Sequence, residues 1–236
     1  QKFPVHPGET MLITRITSGS FSPASATARA LMHANSASFT LETLSEGEIM
    51  NNSGSVSTSG SLVNGTSDNI RYEIANVDSG SGTFNLLIRR GDDTTSTKTI
   101  LESWTDLSLD PNSSNYIEQV IGNQRQNFDT DGDGNRFIQI TGSYVNNNRF
   151  VRVSSVGSPT LDYLDNEGNF KSALTSSLPQ IGSGSNQGAF TGGVGKVFGN
   201  GANGNTKLKM FDEIDVSSIQ GLEAAYYTSS LALLQN

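Results

Sequence analysis

Two β-type runs joined by a glycine-bearing connection constrain this chain more than any other feature. Residues 69–77 read Asn-Ile-Arg-Tyr-Glu-Ile-Ala-Asn-Val and residues 83–90 read Thr-Phe-Asn-Leu-Leu-Ile-Arg-Arg, with Asp78-Ser79-Gly80-Ser81-Gly82 between them. The β-branched and aromatic residues favour strands, and the two glycines supply the positive φ values that a tight hairpin needs. Around this hairpin, residues 38–44 alternate apolar and polar, placing Phe39, Leu41 and Thr43 on one face of a further strand. Met11-Leu12-Ile13-Thr14-Arg15-Ile16-Thr17, ending in Ser18-Gly19-Ser20, reads as a strand and turn, and residues 97–104 read as another strand. A second hairpin is expected from residues 136–145 and 149–153, turning at Asn146-Asn147-Asn148, since asparagine tolerates left-handed backbone.

Helical signals are fewer. Pro111, Asn115 with Glu118 three residues on, the Tyr116/Val120 and Ile117/Ile121 pairs, and Gly122 describe one short helix over 113–121. A second is expected at the end of the chain, where Ser217 and Gln220 form a capping-box pattern and Leu222, Tyr226 and Leu233 share a face. Residues 24–32 are alanine-rich, but Ser25 and Thr27 weaken a helix there and no amphipathic stripe emerges, so that stretch stays open. Ser, Asn and Gly dominate residues 46–67 and 175–206; the first reads as a surface loop or weak edge hairpin, the second, with Phe190 and Phe198 as its main anchors, as an ordered but irregular loop or a partly disordered one. The class that follows is α+β and β-rich, one domain over 1–236.

At 236 residues the chain can form a single β-rich domain. Its 15 Lys+Arg against 23 Asp+Glu leave a net charge of −8, which argues against binding nucleic acid or an anionic membrane, because both need a basic patch. Cysteine is absent, which excludes a disulfide scaffold, a thiol nucleophile and a thiolate metal site. No window approaches eighteen consecutive apolar residues, and residues 1–7 carry no apolar core behind a basic start, so neither a membrane span nor a signal peptide is expected.

The sharpest chemical motif is Asp129-Thr130-Asp131-Gly132-Asp133-Gly134, whose D-x-D-x-D-G spacing places carboxylates at positions 1, 3 and 5 of a calcium loop. It fails at position 12, where Ile140 replaces the bidentate glutamate, and Arg136 adds a positive charge beside the ligands. The plainer reading is an acidic turn into a strand. Arg90-Gly91-Asp92 spells an integrin-recognised tripeptide but also serves as strand end and turn, and the structural reading is favoured. In Gly192-Gly193-Val194-Gly195-Lys196-Val197 a phosphate loop would need glycine at Phe190 and a hydroxyl at Val197, so it is rejected. The two histidines, His6 and His33, come with no G-x-S-x-G elbow, and Asp212, Glu213 and Asp215 read as a solvated face before the last helix. No catalytic, cofactor-binding or metal-binding residue is assigned.

One long, ordered stretch goes further. After Phe84-Asn85-Leu86-Leu87-Ile88-Arg89-Arg90-Gly91-Asp92 come Glu102-Ser103-Trp104 and then Leu107-Ser108-Leu109-Asp110-Pro111-Asn112-Ser113-Ser114-Asn115-Tyr116-Ile117-Glu118-Gln119-Val120-Ile121-Gly122. This resembles the tail sheath protein of contractile-tailed bacteriophages, in which a strand with a basic end is followed by E-x-W/F-x-x-L-S-L-D-P-x-S-x-N-Y-I-x-x-V-I-G. Phe39-Thr40-Leu41-Glu42-Thr43-Leu44-Ser45-Glu46-Gly47 is similar to the family's opening strand and turn, and Phe190-Thr191-Gly192-Gly193 to its later glycine-rich segment. The clear likeness covers about a third of the chain.

The resemblance implies an interior, outward-facing fragment of a sheath subunit, a two-layered, sandwich-like β-structure flanked by a few short helices, with the polymerising core domains absent. It also implies a structural function in the virion, not an enzymatic one. Sheath subunits surround the tail tube as stacked rings and rearrange as near-rigid bodies to drive it into the host cell. The implied partners are other sheath subunits and, through the missing domains, the tube, with synthesis in the bacterial cytoplasm. The isolated chain is expected to be a monomer, because its charge repels and its polar loops offer no long apolar stretch. The alternative is a virion or cell-surface adhesion module whose loops bind glycan or, through Asp129, Asp131 and Asp133, calcium.

Overall fold

The 69–90 hairpin forms as expected and acquires a third strand. In the computed structural model, which describes residues 21–31, 35–157, 166–169 and 177–195, β1 is Pro23–Arg29, β2 Ala37–Glu46, β3 Ile70–Asp78, β4 Thr83–Arg90 and β5 Ile100–Ser108. A five-residue helix α1, Ile117–Ile121, is followed by β6 (Arg125–Thr130), β7 (Arg136–Thr141) and β8 (Val151–Val156). These strands form three small antiparallel sheets ordered β3-β4-β5, β1-β2-β8 and β6-β7. The β-rich class holds. The expected strand at 11–17 and the C-terminal helix lie outside the described residues.

Alternation dictates which side of each strand is buried. Tyr72 pairs with Ile88 and Ile74 with Leu86, so the apolar members of β3 and β4 share one face, and Phe84, Leu86 and Ile88 are completely buried. In β2, Phe39, Leu41 and Thr43 are buried, the face expected from the sequence. Phe39 stacks on Phe84 with ring centroids 5.5 Å apart, joining residues of two different sheets in one core.

The alanine-rich stretch, left open by its residues, is strand β1, with Ala24, Ala26 and Ala28 buried at period two; small side chains let β1 lie against the core, and pairing with β2 overrides alanine's helix preference. Other expectations require correction. The strand expected at 97–104 runs instead from Ile100 to Ser108. The hairpin expected across Asn146–148 does not form. β7 pairs backward with β6 through the acidic turn, while β8 pairs with β2, Thr43 opposite Val151. Asn148 still organises its turn, its Oδ1 accepting from the backbone N–H groups of Phe150 (2.9 Å) and Val151 (2.8 Å), but the turn redirects the chain into another sheet.

The helix is shorter than the sequence pattern, Ile117–Ile121 in place of 113–121. Residues ahead of it form turns, with Ser113 N–H donating to Asp110 C=O (3.0 Å) and Tyr116 N–H to Ser113 C=O (3.1 Å). Asn115 does not cap it; Tyr116 is the N-cap residue, without a side-chain cap bond, and Glu118 accepts from Asn123 Nδ2 at 3.1 Å. Gly122 terminates it at φ 105°, where an added Cβ would meet the Asn146 Cα at 2.3 Å, so only glycine fits. Tyr116, Ile117 and Ile121 are buried and Val120 is half-buried against the same core. Ile117→Ala or Ile121→Ala is therefore expected to cost about 2–5 kcal/mol in denaturant unfolding. Wild-type midpoints for both variants would place these side chains outside the core.

The serine- and glycine-rich loops prove ordered where described, because buried asparagines act as spacers. Asn52 donates to Ile70 C=O (2.9 Å) and accepts from Phe190 N–H (2.8 Å), fastening both loops to β3. Asn69 accepts from Thr66 N–H and donates to Asn64 C=O, each at 2.9 Å. Met50, Leu62, Leu178 and Phe190 are buried beneath these bonds, more surface than a merely polar loop was expected to cover.

Candidate functional site

Three surface or charged constellations are candidates for function: the acidic turn between β6 and β7, a buried ion cluster on the β3-β4-β5 sheet, and the two-stranded ribbon that carries the turn. The acidic turn is built by Asp131. Its Oδ1 accepts from the backbone N–H of Asn135 (2.8 Å) and of Asp133 (3.0 Å), and its Oδ2 accepts from Asn135 Nδ2 (3.1 Å). These bonds, the Asn135 backbone bond foremost, lower its pKa below the usual carboxylate value. Gly134, at φ 85°, completes the reversal. The central carboxylate of the D-x-D-x-D-G pattern thus closes a hairpin. Among the described residues no group of three acidic or histidine side chains converges as a metal shell would, and Ile140, at the position of the completing glutamate, lies exposed on β7. Calorimetry is expected to detect no saturable binding at micromolar calcium. A tight stoichiometric isotherm abolished by Asp131→Ala would overturn this.

The second constellation was not foreseen. Arg71 on β3 lies directly opposite Arg89 on β4, a like-charge pair that disfavours strand pairing unless anions separate it. Asp93, just past the end of β4, provides the counter-charge. Its two carboxylate oxygens accept from Arg89 Nη2 (2.7 Å) and Nε (2.8 Å) in a bidentate fork, and Arg71 Nη1 lies 3.5 Å away. Glu73 accepts from Arg89 Nη1 and Lys98 Nζ, each at 2.7 Å. Arg71 also donates to Gly60 C=O (3.2 Å) and Gln187 C=O (2.9 Å), so the cluster binds both long loops to the sheet. Its Nε has no partner among the described residues, and burial, reinforced by Arg89, lowers its pKa. The signal was legible only as Arg71, Glu73 and Arg89 interrupting two apolar runs; Asp93 could not be joined to them without the register.

Burial acts to raise the Glu73 pKa, but the Lys98 and Arg89 bonds outweigh it and the net shift is downward from 4.5. A carboxyl lowered on folding contributes stability above its unfolded pKa and loses it as pH falls through the folded value. Unfolding free energy is therefore expected to decline on acidification below about pH 4.5, and Glu73→Gln to flatten that decline in urea titrations at several pH values. An unchanged slope would remove Glu73 from the acid response. Nearby, burial raises the Tyr72 hydroxyl to about 12, keeping it a neutral donor to Thr27 C=O at 3.1 Å.

The integrin-like tripeptide is consumed locally, since Arg90 Nε donates to the Asp92 carboxylate. Between them, Gly91 allows close approach: a Cβ there would come within 1.9 Å of Asn69 Oδ1. Gly192 to Gly195 run past Gly47 and Asn51, with Gly193 N–H donating to Asn51 Oδ1 at 2.7 Å, a loop-fastening role unlike a phosphate cradle. His6, His33, Asp212, Glu213, Asp215 and Phe198 lie outside the described residues.

The ribbon is the third constellation. All six residues of β7 are exposed, with Phe137 at 44%, Ile138 at 55% and Ile140 at 56%, which marks both faces as open. Apart from its two strands packing on each other, no other strand or helix among the described residues makes a substantial contact with it. Two-stranded hairpins are marginal in water, and large apolar groups on both faces make such a projection costly unless it is covered. No helix among the described residues is long and apolar enough to cross a membrane. No protein family, curated protein or solved structure matches the chain.

Proposed function

We propose that this chain is an interior, outward-facing domain of a contractile phage tail sheath subunit, a structural part that transmits contraction without catalysing a reaction. The observation that carries the reading is the use made of its most distinctive segment. Leu107, Leu109, Tyr116, Ile117 and Ile121, apolar members of the L-S-L-D-P…N-Y-I-x-x-V-I-G stretch, are buried in the core, and Val120 is half-buried against it. Asp110 and Ser113, the polar members, accept the bonds of the intervening turns: Asp110 Oδ1 from Asn112 N–H (2.9 Å) and Ser113 Oγ from Asn115 N–H (3.2 Å). The stretch that resembles the sheath family therefore serves as scaffold.

A sheath domain has to move as a stiff body between two packed arrangements. The stacked Phe39 and Phe84 rings, the buried ion cluster and the asparagine-fastened loops each support stiffness, and β1-β2-β8 and β3-β4-β5 serve in this reading as the two layers of a sandwich-like body. The partners in this reading are neighbouring sheath subunits and the location is the virion tail.

Immuno-electron microscopy with antibody raised against this chain tests it. Label along the full length of contractile tails, in both extended and contracted particles, is expected. Label confined to fibres, baseplate or cell surface would replace the sheath with an adhesin.

A further inference from the structure

We propose that Asp133 is a site of spontaneous backbone isomerisation, at which the turn between β6 and β7 converts to an isoaspartyl linkage that opens the ribbon from its tip. The chain's two Asp-Gly dipeptides, Asp131-Gly132 and Asp133-Gly134, both lie in this turn. Asp-Gly is the most reactive aspartyl context for this rearrangement, because glycine lacks a side chain that would hinder its own backbone nitrogen from reaching the carboxyl carbon. Residues 131–135 are all exposed among the described residues, and a Cβ built on Gly132 or Gly134 would meet nothing within 4 Å. A five-membered ring therefore fits at either position.

Hydrogen bonding separates the two. The Asp131 carboxylate must give up three bonds, from Asn135 N–H, Asp133 N–H and Asn135 Nδ2, before its Cγ can turn towards Gly132 N. The same bonds favour its charged form, which is not the reactive one. The Asp133 carboxyl has no hydrogen-bond partner among the described residues, its residue taking part in the turn only through its backbone N–H. On the side of the attacking nitrogen the order reverses, at a smaller cost: Gly134 N–H donates to Asp131 C=O at 3.1 Å, one bond between neutral groups. Asn64-Gly65, which could form the same ring by losing ammonia, is held by packing. Gly65 N–H donates to Leu62 C=O at 2.9 Å, and a Cβ there would collide with the Gly91 carbonyl.

The step needs water alone. The Gly134 nitrogen attacks Cγ of the protonated Asp133 carboxyl; the N–Cγ bond forms, the Cγ–OH bond breaks, and the hydroxyl leaves as water with the amide proton. Water then opens the succinimide at one of its two carbonyls. Cleavage of the N–Cγ bond restores aspartate, whereas cleavage of the original peptide bond leaves Gly134 attached through Cγ and frees the former main-chain carbonyl as a carboxylate. One water leaves and one enters, so mass is unchanged, but the backbone gains one atom, Cβ. That atom displaces Gly134 N–H from Asp131 C=O and Asp131 N–H from Asn135 C=O (3.0 Å), the bonds that close the tip beside the Thr130–Arg136 pair. A two-stranded ribbon is marginal to begin with, so it opens from there. This chemistry is independent of the sheath reading.

The intact chain is aged in warm, mildly acidic buffer beside a synthetic peptide of residues 127–138, and both are digested and fragmented by electron transfer, which locates isoaspartate along the chain. In the folded chain isoaspartate at 133 is expected to exceed that at 131 by about fivefold, the factor that one net hydrogen bond supplies, while the peptide gives comparable amounts at both. Gly134→Asn tolerates the left-handed backbone but shields the nitrogen, so it should suppress isoaspartate at 133. Hydrogen exchange then reads the ribbon: amides of β6 and β7 should lose protection in the aged wild-type chain and keep it in aged Gly134→Asn. Equal yields at 131 and 133 in the folded chain, an excess at 131, or no isoaspartate where the peptide forms it would overturn the site. Unchanged protection in the isoaspartyl chain would overturn the opening of the ribbon.

Discussion

Asp93→Ala is expected to destabilise the protein by about 3–5 kcal/mol, the range for removing one partner from a buried ion cluster. Asp93 is 4% exposed and the only carboxylate within salt-bridge distance of both Arg71 and Arg89 among the described residues. Without it two guanidinium groups face each other across neighbouring strands, and Glu73 reaches only Arg89. Thr99 N–H, which donates to Asp93 Oδ2 at 3.0 Å, also loses its acceptor, so the 91–99 turn loosens with the cluster. Asp93→Asn separates charge from shape: it keeps most of the hydrogen-bonding geometry but removes the charge, and should retain a large part of the loss. Guanidinium unfolding of the three proteins is the measurement. A loss under 1 kcal/mol for the alanine variant would mean that water reaches the cluster and screens it.

Phe84→Ala is expected to cost a similar amount, about 3–5 kcal/mol, for a different reason. Phe84 is completely buried and stacks on Phe39, the ring contributed by the β1-β2-β8 sheet. Truncation leaves a void where the two sheets meet, and close-packed interiors refill such voids only in part. Phe84→Leu, which keeps most of the volume, should recover more than half of the loss, as volume-conserving exchanges do. Chemical denaturation again decides, with near-ultraviolet circular dichroism reporting whether the remaining aromatics keep their fixed environment. Equal losses for alanine and leucine would mean that the stacked geometry, not the buried volume, holds the two sheets together.

Local pattern settled the parts of the fold in which each residue's neighbours along the chain carry the information. The 69–90 hairpin, the buried face of β2, Gly122 as helix stop and Asn148 as turn former all follow from alternation and backbone preference. Pattern failed wherever a segment had two possible partners. Residues 136–141 suit a strand on either side of the chain, and only the Asp131 carboxylate, closing the turn before them with three hydrogen bonds, decides for β6. The same bonds explain why a calcium-like spacing produced a hairpin. In β1, alanine's preference for helix lost to pairing with β2, a partner that becomes adjacent only in the folded chain.

The sequence by itself determined the β-rich class, the acidic charge, the absence of thiol chemistry and the resemblance on which the sheath reading stands, because these depend on composition, order and period alone. Tertiary structure decided the rest: that Asp93 meets two arginines, that asparagines at 52 and 69 turn polar loops into ordered cover, and that β7 stands exposed on both faces. The physical reason is that burial, pairing and charge compensation join residues far apart in the chain, so the same side chain is scaffold or surface according to the partner the fold gives it.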